Sequence, residues 1–359
     1  MNDIPAPGAA RTSLPADAML NVGAGDDVKS GAGDLAAAPP AIAANWPSHF
    51  PVARYRLDFT VERPLDLPEY AGSALRGAFG HALRRAACVT DLPDCSACSL
   101  YRTCPYPAVF ETPPPLAYAR RVLSNVPQAF VVEPPPWGER LHASGSALVF
   151  HLVLIGPALA HLPLVLLAWR RALQAGLGPQ RGTARLERVF VEGEAEPLLS
   201  SPDGRLRPHP QQIVLPVPGQ VPLQVPAQVE IVFDTPLRLQ RNGQVLGPAD
   251  LTPRDLLLAL LRRTAHLIEL QLAGTLDVDF TALAAHAGTV AGEHRLVWRD
   301  WARHSNRQQQ RMVLGGAVGR WILQGDLAPF WPLLHLGQWL HVGKNATFGL
   351  GRYRILDAG

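Results

Sequence analysis

The chain has 359 residues, 47% hydrophobic and 18% charged, with a formal net charge of +3. That is apolar material for two sizeable cores, and too little bulk charge to argue a nucleic-acid partner from net charge alone. No basic and apolar leader opens it, so a soluble, cytoplasmic protein is the expectation.

Residues 1–48 are rich in Ala, Gly, Pro and Asp and predict a disordered tail. Tyr55 to Val61 then alternates as a strand. A helix is expected from Glu69 to Ala87, with Leu75, Phe79, Ala82 and Ala86 on its apolar face. His81, Arg84 and Arg85 share a different stripe. Two guanidinium groups disfavour a charged imidazole beside them, leaving a base that can take a proton next to an arginine-held phosphate. His81 is therefore the candidate catalytic residue, with Arg84 and Arg85 as anion contacts.

All four cysteines follow at once: Cys88, Cys95, Cys98 and Cys104. Such clustering in a cytosolic chain reads as a metal site, and Cys95-Ser-Ala-Cys98 has the usual two-residue knuckle. The outer spacings match no standard finger, so structural zinc stands beside an iron–sulfur cluster or free thiols. Extended segments are expected at Gln128–Val132 and Ala147–Ile155. Residues 147–169 lack any Asp, Glu, Lys or Arg, enough to span a bilayer. Gly156-Pro157, His151, His161 and Pro163 instead divide the stretch into a strand, a turn and a helix to Ala175, arguing against a membrane partner. A strand near Ala184–Val191 closes the first half.

After a proline-rich linker the order repeats. Gln228–Phe233 is a strand, and Thr252-Pro253-Arg254-Asp255 opens a helix to about Leu272 with a capping box. Strands near Arg295–Ala302 and Met312–Leu323, a helix near Ala328–Leu340 and a strand Gly351–Ile355 complete it. The pattern implies an α+β protein of two tandem ferredoxin-like, RRM-like domains, 49–215 with a cysteine insert at 88–104, and 216–359.

Two basic features mark the second half. Arg295, Arg299, Arg303, Arg307 and Arg311 recur every fourth residue, which predicts one basic face, with Trp298 and Trp301 interleaved to stack on bases. Near the end, Gly343, Gly349 and Gly351 surround Lys344 and Asn345 in a loop whose backbone N–H groups could face phosphate. Lys29 and Lys344 are the lysines among 33 Lys and Arg, so this loop received a mobile point charge where arginine was the habit. No Walker or dinucleotide signature competes, and paired carboxylates with nuclease-metal spacing are absent.

Four stretches together carry a resemblance. They are Gly72-Ser-Ala-Leu-Arg-Gly-Ala-Phe-Gly-His81 with the cysteines after it, Trp301 to Gln308, Gly325 to Phe330, and Leu340 to Tyr353. Residues 50–357 resemble the RAMP superfamily of CRISPR proteins, and within it the endoribonucleases that cut precursor CRISPR RNA in its repeats. The resemblance implies a metal-independent cut in which a ribose 2′-hydroxyl attacks the adjacent phosphate, leaving a 2′,3′-cyclic phosphate and a 5′-hydroxyl. It points to His81 as the catalytic histidine and to Lys344 as the group that neutralises the phosphorane. The RNA contacts expected with it are Arg84, Arg85, Arg299, Arg303, Arg307, Gly343, Asn345, Gly349 and Gly351. CRISPR repeat RNA is the implied partner. The alternative is a non-catalytic subunit holding guide RNA in a CRISPR effector complex.

Overall fold

In the first strand, β1 (Val52–Arg63), Tyr55, Leu57, Phe59 and Val61 alternate inward and are all but inaccessible. With β2 (Phe130–Glu133), β3 (Ala147–Ile155), β4 (Thr183–Val191) and the short β5 (Leu199–Ser200) it forms an antiparallel sheet of order β2-β3-β1-β4-β5. The computed structural model describes residues 46–116, 126–200, 204–217, 225–276, 278–305 and 310–356.

Helix α1 (Gly72–Ala87) presents Leu75, Phe79, Ala82 and Leu83 to one face of that sheet. The short α2 (Pro105–Phe110) and α3 (Leu162–Ala175) share the same side. Phe79 stacks flat on Trp169 of α3, 4.9 Å between ring centres and 8° between planes. Both rings are fully buried, and each contributes about 2–3 kcal/mol of burial before the stacking gain.

The second half repeats the order. It runs β6 (Gln228–Leu237), α4 (Pro253–Gln271), α5 (Phe280–Ala287), β7 (Ala291–Ser305), β8 (Gln310–Gln324), α6 (Trp331–Leu340) and β9 (Tyr353–Leu356). Its sheet order is β7-β8-β6-β9. Apart from β5, both sheets place their strands second, third, first, fourth, the ferredoxin-like arrangement. The capping box forms: the Thr252 hydroxyl accepts from the Asp255 N–H while the Asp255 carboxylate accepts from the Thr252 N–H.

Three expectations need correction. The ordered chain begins before the expected boundary at residue 48, because Trp46 is buried in the second core and His49–Phe50 pair with Ile213–Val214; residues 1–45 lie outside the described residues. α5 was missed. It is short, and its start signal is the single residue Asp279, whose carboxylate accepts from the Thr281 and Ala282 N–H groups. The five arginines do not share one face. Positions 295, 299 and 303 are in step along β7, but residue 311 lies on β8 opposite His304, out of step with them, and Arg307 lies outside the described residues. The four-residue spacing crosses a hairpin turn, and antiparallel register, not spacing, decides the face beyond it.

The back face of the first sheet is also covered. Val131, Val153 and Ile155 join the core built around β6, α4 and α6, so the halves pack as one body. Among the described residues no helix is long and apolar enough to cross a membrane.

Candidate active site

α1 is held at its start and at its middle by glycines that leave no room for a side chain. A Cβ on Gly72 would lie 1.9 Å from the Phe348 carbonyl oxygen, and one on Gly80 would lie 2.4 Å from the Phe110 ring. The helix is thereby wedged between the late glycine loop and α2. Its outward side is left free, and there His81 stands exposed.

His81 lines an open cleft of about 570 Å³ with Arg84, Arg85, Cys88, Asp91 and Arg181. Arg85 is exposed and forms no hydrogen bond or ion pair with the described residues. Arg84 is turned elsewhere: its Nη2 donates to the Leu92 and Pro93 carbonyls (3.0 Å to Pro93), and its guanidinium lies over the Tyr106 ring. It secures the cysteine loop more than it faces the cleft. Arg181 was not singled out from the sequence. It sits at φ 49° in the turn after α3, its Nη2 donating to the Ala175 carbonyl at 2.8 Å. The run Gly176-Leu-Gly-Pro-Gln-Arg-Gly182 announced a tight turn, but nothing local showed that the turn comes back beside α1.

Lys344 does not line this cleft. The glycine loop meets α1 at Gly72, and His81 lies nine residues further along, roughly 13 Å by helical rise. Lys344 is exposed, its N–H bonded to the Arg238 carbonyl, and Asn345 adopts the left-handed region at φ 62°. The expected phosphate-facing N–H groups are corrected at two glycines. Gly349 donates to Ala346 and Gly351 to the Pro236 carbonyl, both buried. A Cβ on Gly351 would meet the Val342 oxygen at 1.8 Å, so this glycine permits close chain packing. Gly343 is half-buried with φ 90°. Tyr353, just past the loop, is fully buried with its hydroxyl donating to the Leu334 carbonyl and is out of reach of a base.

On β7, Arg295 and Arg299 are exposed, and Arg299 lies over the Trp137 ring at 5.1 Å. Trp298 is partly exposed, its Nε1 donating to Asp300 at 2.7 Å. Trp301 is buried against Tyr70, Phe348 and Leu350 and is a core residue, not a stacking platform. Side-chain contacts of Arg303 and Arg307 lie outside the described residues.

Beneath the glycine loop the two halves are joined by a buried charged group. Glu133 Oε1 is 3.1 Å from Arg54 Nε and 2.9 Å from His341 Nε2, and Arg352 stands 3.8 Å from its other oxygen. Arg54 also donates to the Gln338 carbonyl of α6 and binds Glu192. Burial pushes the Glu133 carboxyl up, but the His341 hydrogen bond and the Arg54 and Arg352 charges reverse this and hold it far below the usual carboxylate range. Burial holds His341 below the ordinary imidazole range, partly offset by Glu133.

The four cysteines converge. Cys88, Cys95, Cys98 and Cys104 all line one small cavity against α2, with Tyr101 and Tyr106, and Cys88 also lines the His81 cleft. None is disulfide-bonded.

Comparison with known proteins agrees with this architecture. A family model described as CRISPR-associated endoribonuclease Cas6 matches residues 231–353, and one described as an N-terminal domain matches residues 50–211. No curated protein sequence matches. A chain of a partial Cas6-RT-Cas1–Cas2 complex is 13% identical with a TM-score of 0.50, covering 86% of this chain and 46% of that one. Cas6 of Thermus thermophilus is 16% identical with a TM-score of 0.49, covering 87% of this chain and 100% of that one. A Cas6 substrate-mimic complex is 19% identical with a TM-score of 0.46, covering 86% and 100%.

Proposed function

We propose that this chain cuts precursor CRISPR RNA within its repeats, with His81 as the proton-transferring residue, a reading supported by the match of residues 231–353 to the Cas6 endoribonuclease family model. The observation that carries the reading is the exposed His81 in a cleft whose wall also bears Arg85 and Arg181. A base able to reach a ribose hydroxyl stands beside two cations, Arg181 held by the Ala175 carbonyl and Arg85 free of the described residues, able to meet a phosphate.

In this reading the 2′-hydroxyl attacks the adjacent phosphorus as His81 takes its proton, or His81 gives a proton to the departing 5′-oxygen. The bond from phosphorus to the 5′-oxygen breaks, leaving a 2′,3′-cyclic phosphate and a 5′-hydroxyl. Arg85 and Arg181 offset the charge that gathers on the phosphorane oxygens. The proposed cut uses no metal, a reading supported by the donor set of the cleft: three arginines, one histidine, one thiol and a single carboxylate, Asp91. A hard divalent cation is ordinarily held by more oxygens than that. Arg299 on β7 and Lys344 in the glycine loop extend the cationic surface beyond the cleft and would hold RNA backbone.

His81→Ala should lower single-turnover cleavage of repeat RNA by about 100-fold or more while affinity stays within a few-fold. Cleavage should persist in EDTA and yield a 2′,3′-cyclic end. Undiminished cleavage by the variant would remove His81 from the chemistry. Tight binding with no cleavage by the wild-type chain would favour a guide-holding subunit instead.

A further inference from the structure

The stretch from Cys88 to Cys104 has no core of its own. Not one of its residues is buried, and Val89, Leu92 and Leu100 stand 79%, 42% and 40% exposed. The residues that are even half-sheltered are Tyr101 and the four cysteines. Yet the segment is well organised. Cys88 ends α1 and Cys104 caps α2, so both ends are anchored to helices. Between them Asp94 caps a single 3₁₀ turn, Cys95–Ala97, and the Cys98 N–H donates to the Cys95 carbonyl, folding the two thiols onto one side. The Thr90 hydroxyl contacts both Cys88 Sγ, at 3.9 Å, and Cys98 Sγ, at 3.5 Å.

We propose that these four thiols bind one structural zinc-class cation, and that the metal fixes the wall of the cleft that holds His81. A short exposed loop cannot recover its ordering entropy from burial, and a cross-link at its one sheltered point is the remaining means. Four cysteines lining one cavity offer the donor set of a closed tetrathiolate site, which once filled would leave no open position for chemistry. No three such side chains yet stand at ligand spacing among the described residues, so binding requires the thiols to turn inward. The link to the cleft is direct. Cys88 lines both cavities, Asp91 lies in the loop, and Arg84 ties that loop to α1 through the Leu92 and Pro93 carbonyls. The inference stands whether or not His81 is catalytic.

The test uses full-length protein purified under reducing conditions without added metal or chelator. About one zinc per chain is expected, and cobalt(II) exchange should give the intense sulfur-to-cobalt absorption of a tetrathiolate site. Cys98→Ser should lower bound metal about tenfold or more. Because that variant could fail to fold, wild-type protein is also stripped with a chelator and given a protease. Cleavage should appear within 89–103 and be reversed by zinc. Protein with four reactive thiols, no stoichiometric metal and protease sensitivity indifferent to zinc would overturn the proposal. So would an iron–sulfur chromophore, or a mass showing the cysteines paired as disulfides.

Discussion

Single residues divide the proposed chemistry between two places. His81 and Arg85 share a cleft, whereas Lys344 occupies a loop joined to the other end of the same helix. A lysine there stands outside the cleft that holds His81, so its mobile charge suits the RNA backbone better than the phosphorane. Lys344→Ala should therefore weaken all RNAs alike and reduce the slope of log affinity against log salt by about one counterion. The single-turnover rate at saturating protein should stay within a few-fold of wild type. A rate loss of 100-fold with unchanged affinity would return Lys344 to the reaction centre.

At the scale of elements, α1 matters through its docking. Alanine is a better helix former than glycine by up to about 1 kcal/mol, so Gly72→Ala would stabilise an isolated helix. Here a Cβ would press on the backbone carbonyl of Phe348, which also accepts a hydrogen bond from the Tyr70 hydroxyl at 2.7 Å. The clash should win. Gly72→Ala is expected to cost about 1–3 kcal/mol, measured from the shift in denaturant midpoint. A variant as stable as wild type would show that the glycine loop yields, and that the joint between loop and helix is soft. The β7–β8 hairpin teaches the complementary lesson, since its arginines face according to register and not to count.

Across the whole molecule, the Glu133 group pins one half to the other. Around it stand His341 and Arg352 from the second half, Arg54 with Glu192 from the first, and His151 on β3. Acid acts on it twice with the same sign. Glu133, His341 and His151 are all held below their ordinary values, so the unfolded chain binds protons that the folded one refuses. Stability should be full above about pH 6.5, decline as the unfolded imidazole protonates, and fall further below about pH 4.3 as the carboxylate does. Denaturant midpoints measured from pH 7 to pH 4 check this, and Glu133→Gln should flatten the lower limb. A profile level down to pH 4 would mean that the junction does not depend on these charges. RNA binding that collapses over the same range, with folding intact, would place the effect elsewhere.

Much of this was open to reading from the chain alone. Period-two and helical patterning marked the strands and helices of both halves, since each element buries one face against a sheet. The capping box at Thr252, the His81-Arg84-Arg85 stripe and the cysteine cluster are local in sequence, and local spacing is enough to reveal them. What only the tertiary structure decided is everything that depends on chain segments meeting. Arg181 arrives beside His81 from a turn a hundred residues later. Lys344 is carried away from His81 by where the glycine loop docks, and Gly349 and Gly351 prove to be packing glycines. Glu133 and His341, unremarkable singly, form a buried pair across the two halves. A sequence displays the periodicity that hydrogen bonding along one element imposes, but distances between elements are set by side-chain volumes and hydrogen bonds across the core, and those exist only once the halves have closed on each other.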